Sequence, residues 1–227
     1  MINFHSVSHW QPRTRRRSPI LLDCNLHCGP RDRIGILAAP GSGKTSLARL
    51  FCGIDQPDVG DVQIDGRVSW PLGFAGFLHP ELSVGQNIKT IAKLCGYAAD
   101  QAMEFVADFV EIPGVLLRKT ENLSPSERAL VAYAISISIP SDYLIADEVI
   151  TVGTPKMRLK CDAFLDTALR DTGLVLISRA PRLLRQYCET YFVLIGRRLQ
   201  PCLDLDAALD ALEMAACPPN ELEAEDA

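Results

Sequence analysis

Two kinds of apolar pattern divide this chain. Residues 34–37, 143–146 and 174–177 are short apolar runs, with the length of strands buried on both faces. Elsewhere the apolar positions recur every three or four residues. Residues 100–110 place Ala102, Met103, Val106, Phe109 and Val110 on one stripe, and residues 157–170 place Met157, Cys161, Phe164, Leu165 and Ala168 on another. These stripes read as core faces of helices. Further helices are expected over 46–51, 85–95, 181–187 and 203–216. Ser124-Pro125-Ser126-Glu127 reads as a helix start: Ser124 an N-cap, Pro125 at the first helical position, Glu127 completing a capping box. The helix it opens is apolar nearly all round, hence buried, and Pro140 ends it. Partial alternation predicts an edge strand over 2–8, a second strand over 20–28 and a short one over 62–66. A hairpin is expected at 191–195 and 198–200, turning at Gly196-Arg197. Residues 53–61 read as turns and 70–77 as irregular. Buried strands alternating with helices give an α/β domain with a largely parallel sheet.

The strand at 34–37 runs into Ala38-Ala39-Pro40-Gly41-Ser42-Gly43-Lys44-Thr45-Ser46. This is a phosphate-binding loop of the form [Ala/Gly]-x-x-x-x-Gly-Lys-[Ser/Thr], in its required context between strand and helix. Backbone N–H groups of the loop and the helix N-terminus are to cradle phosphates. Lys44 is to reach the β- and γ-phosphates, and the Thr45 hydroxyl is to sit on Mg²⁺. Ala38 stands where a first glycine is usual and lacks glycine's access to positive φ.

Composition narrows the setting. The chain has 227 residues, 48% hydrophobic and 22% charged, enough for one substantial core, or for one domain with a small appendage. A net charge of −5 argues against a broad nucleic-acid footprint. No apolar run has the roughly 18 residues needed to span a bilayer, and the N-terminus does not read as a signal peptide. The expected location is therefore cytoplasmic. Arg13, Arg15, Arg16 and Arg17 form a basic run in the loop before the second strand: a solvated surface, or a contact to phosphate groups of a ligand or lipid. The eight cysteines are scattered and mostly in apolar stretches, which reads as buried thiols. Cys24, His27 and Cys28 are the one cluster with any metal-like character.

The run at 143–146 ends in Asp147-Glu148, roughly 100 residues after the phosphate loop and about 20 after the capped helix start. Asp147 is a candidate for holding Mg²⁺ through water, and Glu148 for polarising an attacking water. This order resembles the ATP-binding-cassette (ABC) ATPases over about residues 1–200. More narrowly it looks like the ATPase subunit of exporters for capsular and related cell-surface polysaccharides. Val68-Ser69-Trp70-Pro71-Leu72-Gly73-Phe74-Ala75-Gly76, Asp147-Glu148-Val149-Ile150-Thr151-Val152-Gly153 and Arg185-Gln186-Tyr187-Cys188 carry that resemblance. It implies a P-loop NTPase fold with a mostly parallel core sheet, an antiparallel β subdomain and a helical subdomain at about 80–140, followed by a C-terminal helix and acidic tail at 201–227. It also implies ATP and Mg²⁺, an ATP-sandwich dimer with a second ATPase subunit (a copy or a paralogue), an integral-membrane permease, and a peripheral place at the cytoplasmic face of the inner membrane. No nucleic-acid partner is expected. Trp10 falls where the family stacks an aromatic residue on adenine.

Several positions depart from the family pattern. The signature Leu-Ser-Gly-Gly-Gln is matched by Leu123-Ser124-Pro125-Ser126-Glu127, leaving Ser124 and Ser126 as the candidates for contacting a nucleotide held by a second subunit. Pro125 has no N–H to offer a phosphate. Glu127 brings a negative charge, unless it folds back onto its own backbone. His79 falls at the glutamine of the family's interface loop, Arg179 at the switch histidine, and Thr154 at the aspartate after Asp147-Glu148. The expectation is sound nucleotide binding with slow hydrolysis. The competing readings are a regulatory or structural nucleotide-binding subunit with little hydrolysis, alone or paired with an intact ATPase, and a soluble P-loop kinase or other non-transport ATPase.

Overall fold

The computed structural model describes residues 1–11 and 18–216. The arginine run at 13–17 and the tail after Ala216 lie outside the described residues. Three strands, β1 (Ile2–Trp10), β2 (Pro19–Cys28) and β4 (Val59–Ile64), form an antiparallel sheet in the order β2-β1-β4. β3 (Arg33–Ala38), β5 (Tyr143–Asp147), β6 (Gly173–Ser178), β7 (Thr190–Ile195) and β8 (Arg198–Cys202) form a second sheet in the order β5-β6-β3-β7-β8. All of its pairings are parallel except the hairpin β7-β8.

Seven α-helices complete the described chain: α1 (Lys44–Phe51), α2 (Val84–Leu94), α3 (Ala99–Val110), α4 (Pro125–Ser138), α5 (Pro155–Ala168), α6 (Pro181–Tyr187) and α7 (Leu205–Ala216). The expected stripes face inward: Ala102, Val106, Phe109 and Val110 are buried on α3, and Met157, Cys161 and Leu165 on α5. α4 is buried from Leu130 to Ser138 without a break, as its all-round apolarity required. The parallel sheet separates two cores. Ile34, Ile36, Ile145 and Ile177 face α1 and the antiparallel sheet; Leu37, Leu144, Leu174 and Leu176 face α3–α6.

One expectation fails. β1 is the middle strand of its sheet, paired with β2 on one side and β4 on the other. Its alternation looked partial because Ser6 adopts φ 47 between the pairs Phe4–Leu26 and Val7–Cys24. That irregularity shifts the inward phase from even to odd positions. β4 also begins at Val59, three residues earlier than its alternation suggested.

The Ser-Trp-Pro stretch is ordered by the parallel sheet. Val68 bridges Tyr143 in parallel, and Ser69 N–H donates to the Tyr143 carbonyl at 2.9 Å. Leu72 N–H donates to the Ile145 carbonyl at 2.9 Å. The buried Ser69 hydroxyl accepts the Ile145 N–H at 3.0 Å. These bonds pair residues 68–72 with the outer edge of β5, so its backbone groups are not left bare.

Candidate ATP-binding site

Parallel register builds the site. Leu37 pairs with Ser178, and Asp147 with Ile177, so the carboxyl ends of β3, β5 and β6 lie side by side. The loop after β3, the pair Asp147-Glu148 and the pair Ser178-Arg179 therefore share one end of the sheet, where open α/β sheets place ligands. Ala38 ends β3 in extended backbone, fully buried, so the turn makes no demand for positive φ there. That demand falls on Gly41 (φ 75) and Gly43 (φ 98). A Cβ on Gly43 would sit 2.4 Å from Ile20 Cγ2, so this glycine answers to space as well as to dihedral.

α1 starts without a cap. Gly43 offers no side chain, and the first turn carries no acidic residue. The first N–H groups of a helix have no intrahelical partner, so this terminus presents open donors with a positive field. Around it, Ser42 Oγ donates to the Ala39 carbonyl at 2.8 Å, as does Lys44 Nζ at 3.1 Å. Lys44 Nζ also lies 3.2 Å from Glu148 Oε1. Thr45 Oγ1 donates to Asp147 Oδ2 at 2.6 Å. Pro40 and Ser46 flank these groups in the loop and the first turn of α1.

Glu148 occupies the left-handed region at φ 61, uncommon for a non-glycine residue. Its Oε2 accepts hydrogen bonds from Ser178 Oγ at 2.8 Å and from the Arg179 N–H at 3.2 Å. Burial acts to raise its carboxyl pKa. The bonds from Ser178 and Arg179 and the nearby Lys44 outweigh that and hold the group below its ordinary value.

Two clefts open here. One of about 210 Å³ is lined by Thr45, Arg49, Asp147, Val149 and residues 71–74. The other, about 730 Å³, is lined by residues 39–42, Arg179, residues 194–197 and the end of α7. Trp10, His79 and Ser124 line neither. Trp10 ends β1 half-buried, its backbone N–H donating to Asp58 Oδ2 at 2.9 Å. His79 is exposed, with its backbone fixed on both sides by the Asn87 side chain at 2.8 and 3.1 Å. Ser126 lines a third cleft of about 710 Å³, with Pro125, Glu127 and residues 151–154. Thr154 caps α5 with its hydroxyl.

The start of α4 contrasts with that of α1. Ser124 Oγ accepts the Glu127 N–H at 3.2 Å, and Glu127 Oε2 accepts the Ser124 N–H at 2.8 Å. Glu127 Oε1 also accepts from Arg118 Nη1 at 2.8 Å. Arg118, reinforced by Ser124, pulls the Glu127 carboxyl down to about 2. Glu127 has folded back, and its charge is spent on its own helix and on Arg118.

The sequence comparisons decide the family. The family model described as ABC transporter matches residues 21–151. The chain belongs to the ABC transporter family. It is an ATPase cassette, and nucleotide is its ligand. The ATP-binding protein BexA of Haemophilus influenzae is 29% identical over 205 residues, covering 90% of this chain and 91% of the relative. The capsule polysaccharide export ATP-binding protein CtrD of Neisseria meningitidis is likewise 29% identical, over 90% of this chain and 96% of its own. The polysialic acid transport ATP-binding protein KpsT of Escherichia coli is 31% identical over 69% of this chain and 72% of its own. Among solved structures, the dimeric ABC cassette MJ0796 bound to ADP and Pi superposes with a TM-score of 0.74, covering 88% of this chain and 96% of that one. At 17% identity that likeness shows the fold.

The cassette contains other polar groups that are not part of this site. Cys24 and Cys28 are buried and their thiols pushed up to about 12, chiefly by that burial, while His27 lies on the opposite, exposed face of β2 against Asn3 Oδ1 at 2.6 Å. No group of three or more His, Cys, Asp or Glu among the described residues could hold a metal ion. Nor is any helix among them long and apolar enough to cross a membrane. Sequence reasoning missed Ser178, whose only signal was a hydroxyl ending an otherwise apolar strand. It also missed Arg49 and Phe74, which line the smaller cleft through contacts of high sequence separation.

Proposed function

We propose that this cassette binds ATP with Mg²⁺ and energises a membrane exporter of capsular or related cell-surface polysaccharide. The observation that carries the export reading is the similarity, along nine-tenths of the chain, to proteins of which CtrD is named for capsule polysaccharide export. The geometry supports the binding half. The α1 terminus offers donors that no side chain caps, which suits a polyphosphate. Thr45 and Asp147 are hard oxygen donors 2.6 Å apart, which suits Mg²⁺ completed by phosphate and water oxygens. When bound, the metal supplies neutralisation of charge on the β- and γ-phosphates.

The roles of the protein's own groups follow. Residues 39–46 donate N–H and hydroxyl groups to phosphate, and Lys44 exchanges Glu148 for phosphate oxygens. Trp10 offers a face to adenine. Glu148 accepts a proton from the attacking water. Arg179 supplies positive charge toward a γ-phosphate and cannot shuttle a proton. His79 offers one imidazole bond at the interface loop. Ser124 and Ser126 face a nucleotide held by a second ATPase subunit. Their helix start has little left to give, because Pro125 lacks an N–H and Glu127 has taken the Ser124 N–H. Hydrolysis is therefore slow. The partners are a second cassette and an integral-membrane permease, at the cytoplasmic face of the inner membrane. Reconstitution with the permease is the test: ATP hydrolysis that the permease does not alter, together with unchanged surface polysaccharide in cells lacking the cassette, overturns the export reading. Turnover at tens per second overturns slow hydrolysis.

A further inference from the structure

Ser178, the last residue of β6, is 0% exposed, a hydroxyl closing a strand otherwise made of Gly, Leu, Val and Ile. Both halves of that hydroxyl are used. The Ala180 N–H donates to Oγ at 3.1 Å, and Oγ donates to Glu148 Oε2 at 2.8 Å. Occupying the oxygen from the Ala180 side directs the single hydroxyl proton at the carboxylate. We propose that Ser178 is a positioning residue for the base, holding the Glu148 carboxylate in the orientation from which it takes a proton from water.

This rests on the reading of Glu148 as that base. Glu148 needs such a holder, because φ 61 gives it no regular element to fix its direction. It has three. Lys44 is the one a polyphosphate draws away, and the Arg179 N–H bond is the longer of the remaining two. Ser178 sits on the strand next to β3, paired with Leu37 one residue before the loop begins its turn, so the carboxylate is referenced to the same rigid sheet that aims the phosphate loop. The contact is independent of the side chain at 179. Base orientation is thus preserved in a chain that carries arginine where the family pattern has histidine.

Threonine and valine at 178 have nearly the same shape and differ in the hydroxyl, so the pair separates positioning from packing. ATPase turnover, ATP affinity and thermal stability are measured for Ser178→Thr, Ser178→Val and Ser178→Ala. Valine and alanine should lower kcat by roughly 10- to 100-fold, the worth of one hydrogen bond to a charged group, with ATP affinity and KM nearly unchanged. Threonine should restore most of the rate. In a Glu148→Gln background the Ser178→Ala change should cost nothing further. Equal turnover in threonine and valine variants, or an alanine variant with wild-type kcat, overturns the proposal. A Glu148→Gln protein that still turns over at the wild-type rate removes the base reading instead, which keeps the two failures apart. Should the added methyl impair folding of the larger pair, the alanine variant, which adds no bulk, decides.

Discussion

Two helix N-termini in this molecule have opposite fates. α1 begins with a glycine that caps nothing and a first turn without acid; α4 begins with a serine and a glutamate that bond each other's N–H groups and a proline that has none. Both belong to stretches that the family pattern assigns to phosphate. The difference teaches that a helix start is an anion site only while its donors are unspent. At α1 they are, and the ion pair Lys44–Glu148 and the hydroxyl–carboxylate hydrogen bond Thr45–Asp147 stand alongside. At α4 they are consumed by the reciprocal Ser124–Glu127 bonds and by proline, and the carboxylate is neutralised by Arg118. The same bonds that stabilise the start of α4 remove donors that an anion would need.

The largest effect should come from the half that is intact. Glu148→Gln should cut ATP turnover by about 10²–10⁴-fold with ATP affinity retained, read by steady-state hydrolysis beside nucleotide titration. Unchanged turnover would take Glu148 out of the mechanism. Lys44→Ala should weaken ATP binding by roughly 100-fold, the scale for truncating one partner of a buried charge contact. Equal binding in equilibrium dialysis would mean that the open donors of α1 suffice alone. Gly43→Ala meets both the Ile20 contact and φ 98, and should lower stability by about 1–3 kcal/mol in urea unfolding. A neutral result would show that the loop relaxes freely.

The α4 side sharpens the comparison from the other direction. Pro125→Gly restores an N–H and should raise turnover by roughly tenfold, since one donor aimed at a transition state is worth that or more. A rate that does not move would place the limit at Arg179 or His79 rather than at α4. The smallest effect is electrostatic. Glu127 has its folded pKa depressed from 4.5 to about 2, so its contribution to stability is complete above about pH 4.5 and is lost as pH falls toward 2. Glu127→Gln should flatten the acid limb of stability against pH within that window and leave the slope near neutral pH unchanged. Parallel limbs for both proteins would show that the Arg118 contact carries no linkage.

Residues 34–45 and 143–148 were legible because strand, turn and helix preferences there are local and the chemistry sits in contiguous letters. The capping box at Ser124 was equally plain, since its partners are three residues apart. The middle position of β1 was not, because strand neighbours are set by pairings to residues up to about sixty positions away, such as Ile2 with Ile64. Ser178 was invisible for the same reason: its partner Glu148 is thirty residues distant, just past the end of another strand.

The sequence by itself determined that this chain carries a phosphate loop, an acidic pair after a buried strand and a self-capping helix start. Each follows from side-chain type and spacing within a few residues. Tertiary structure alone decided that Asp147 meets Thr45, that Glu148 is held between Lys44 and Ser178, and that Glu127 turns its charge onto Arg118. Those contacts depend on sheet register and on closing loops of nine to more than a hundred residues, which no local preference encodes.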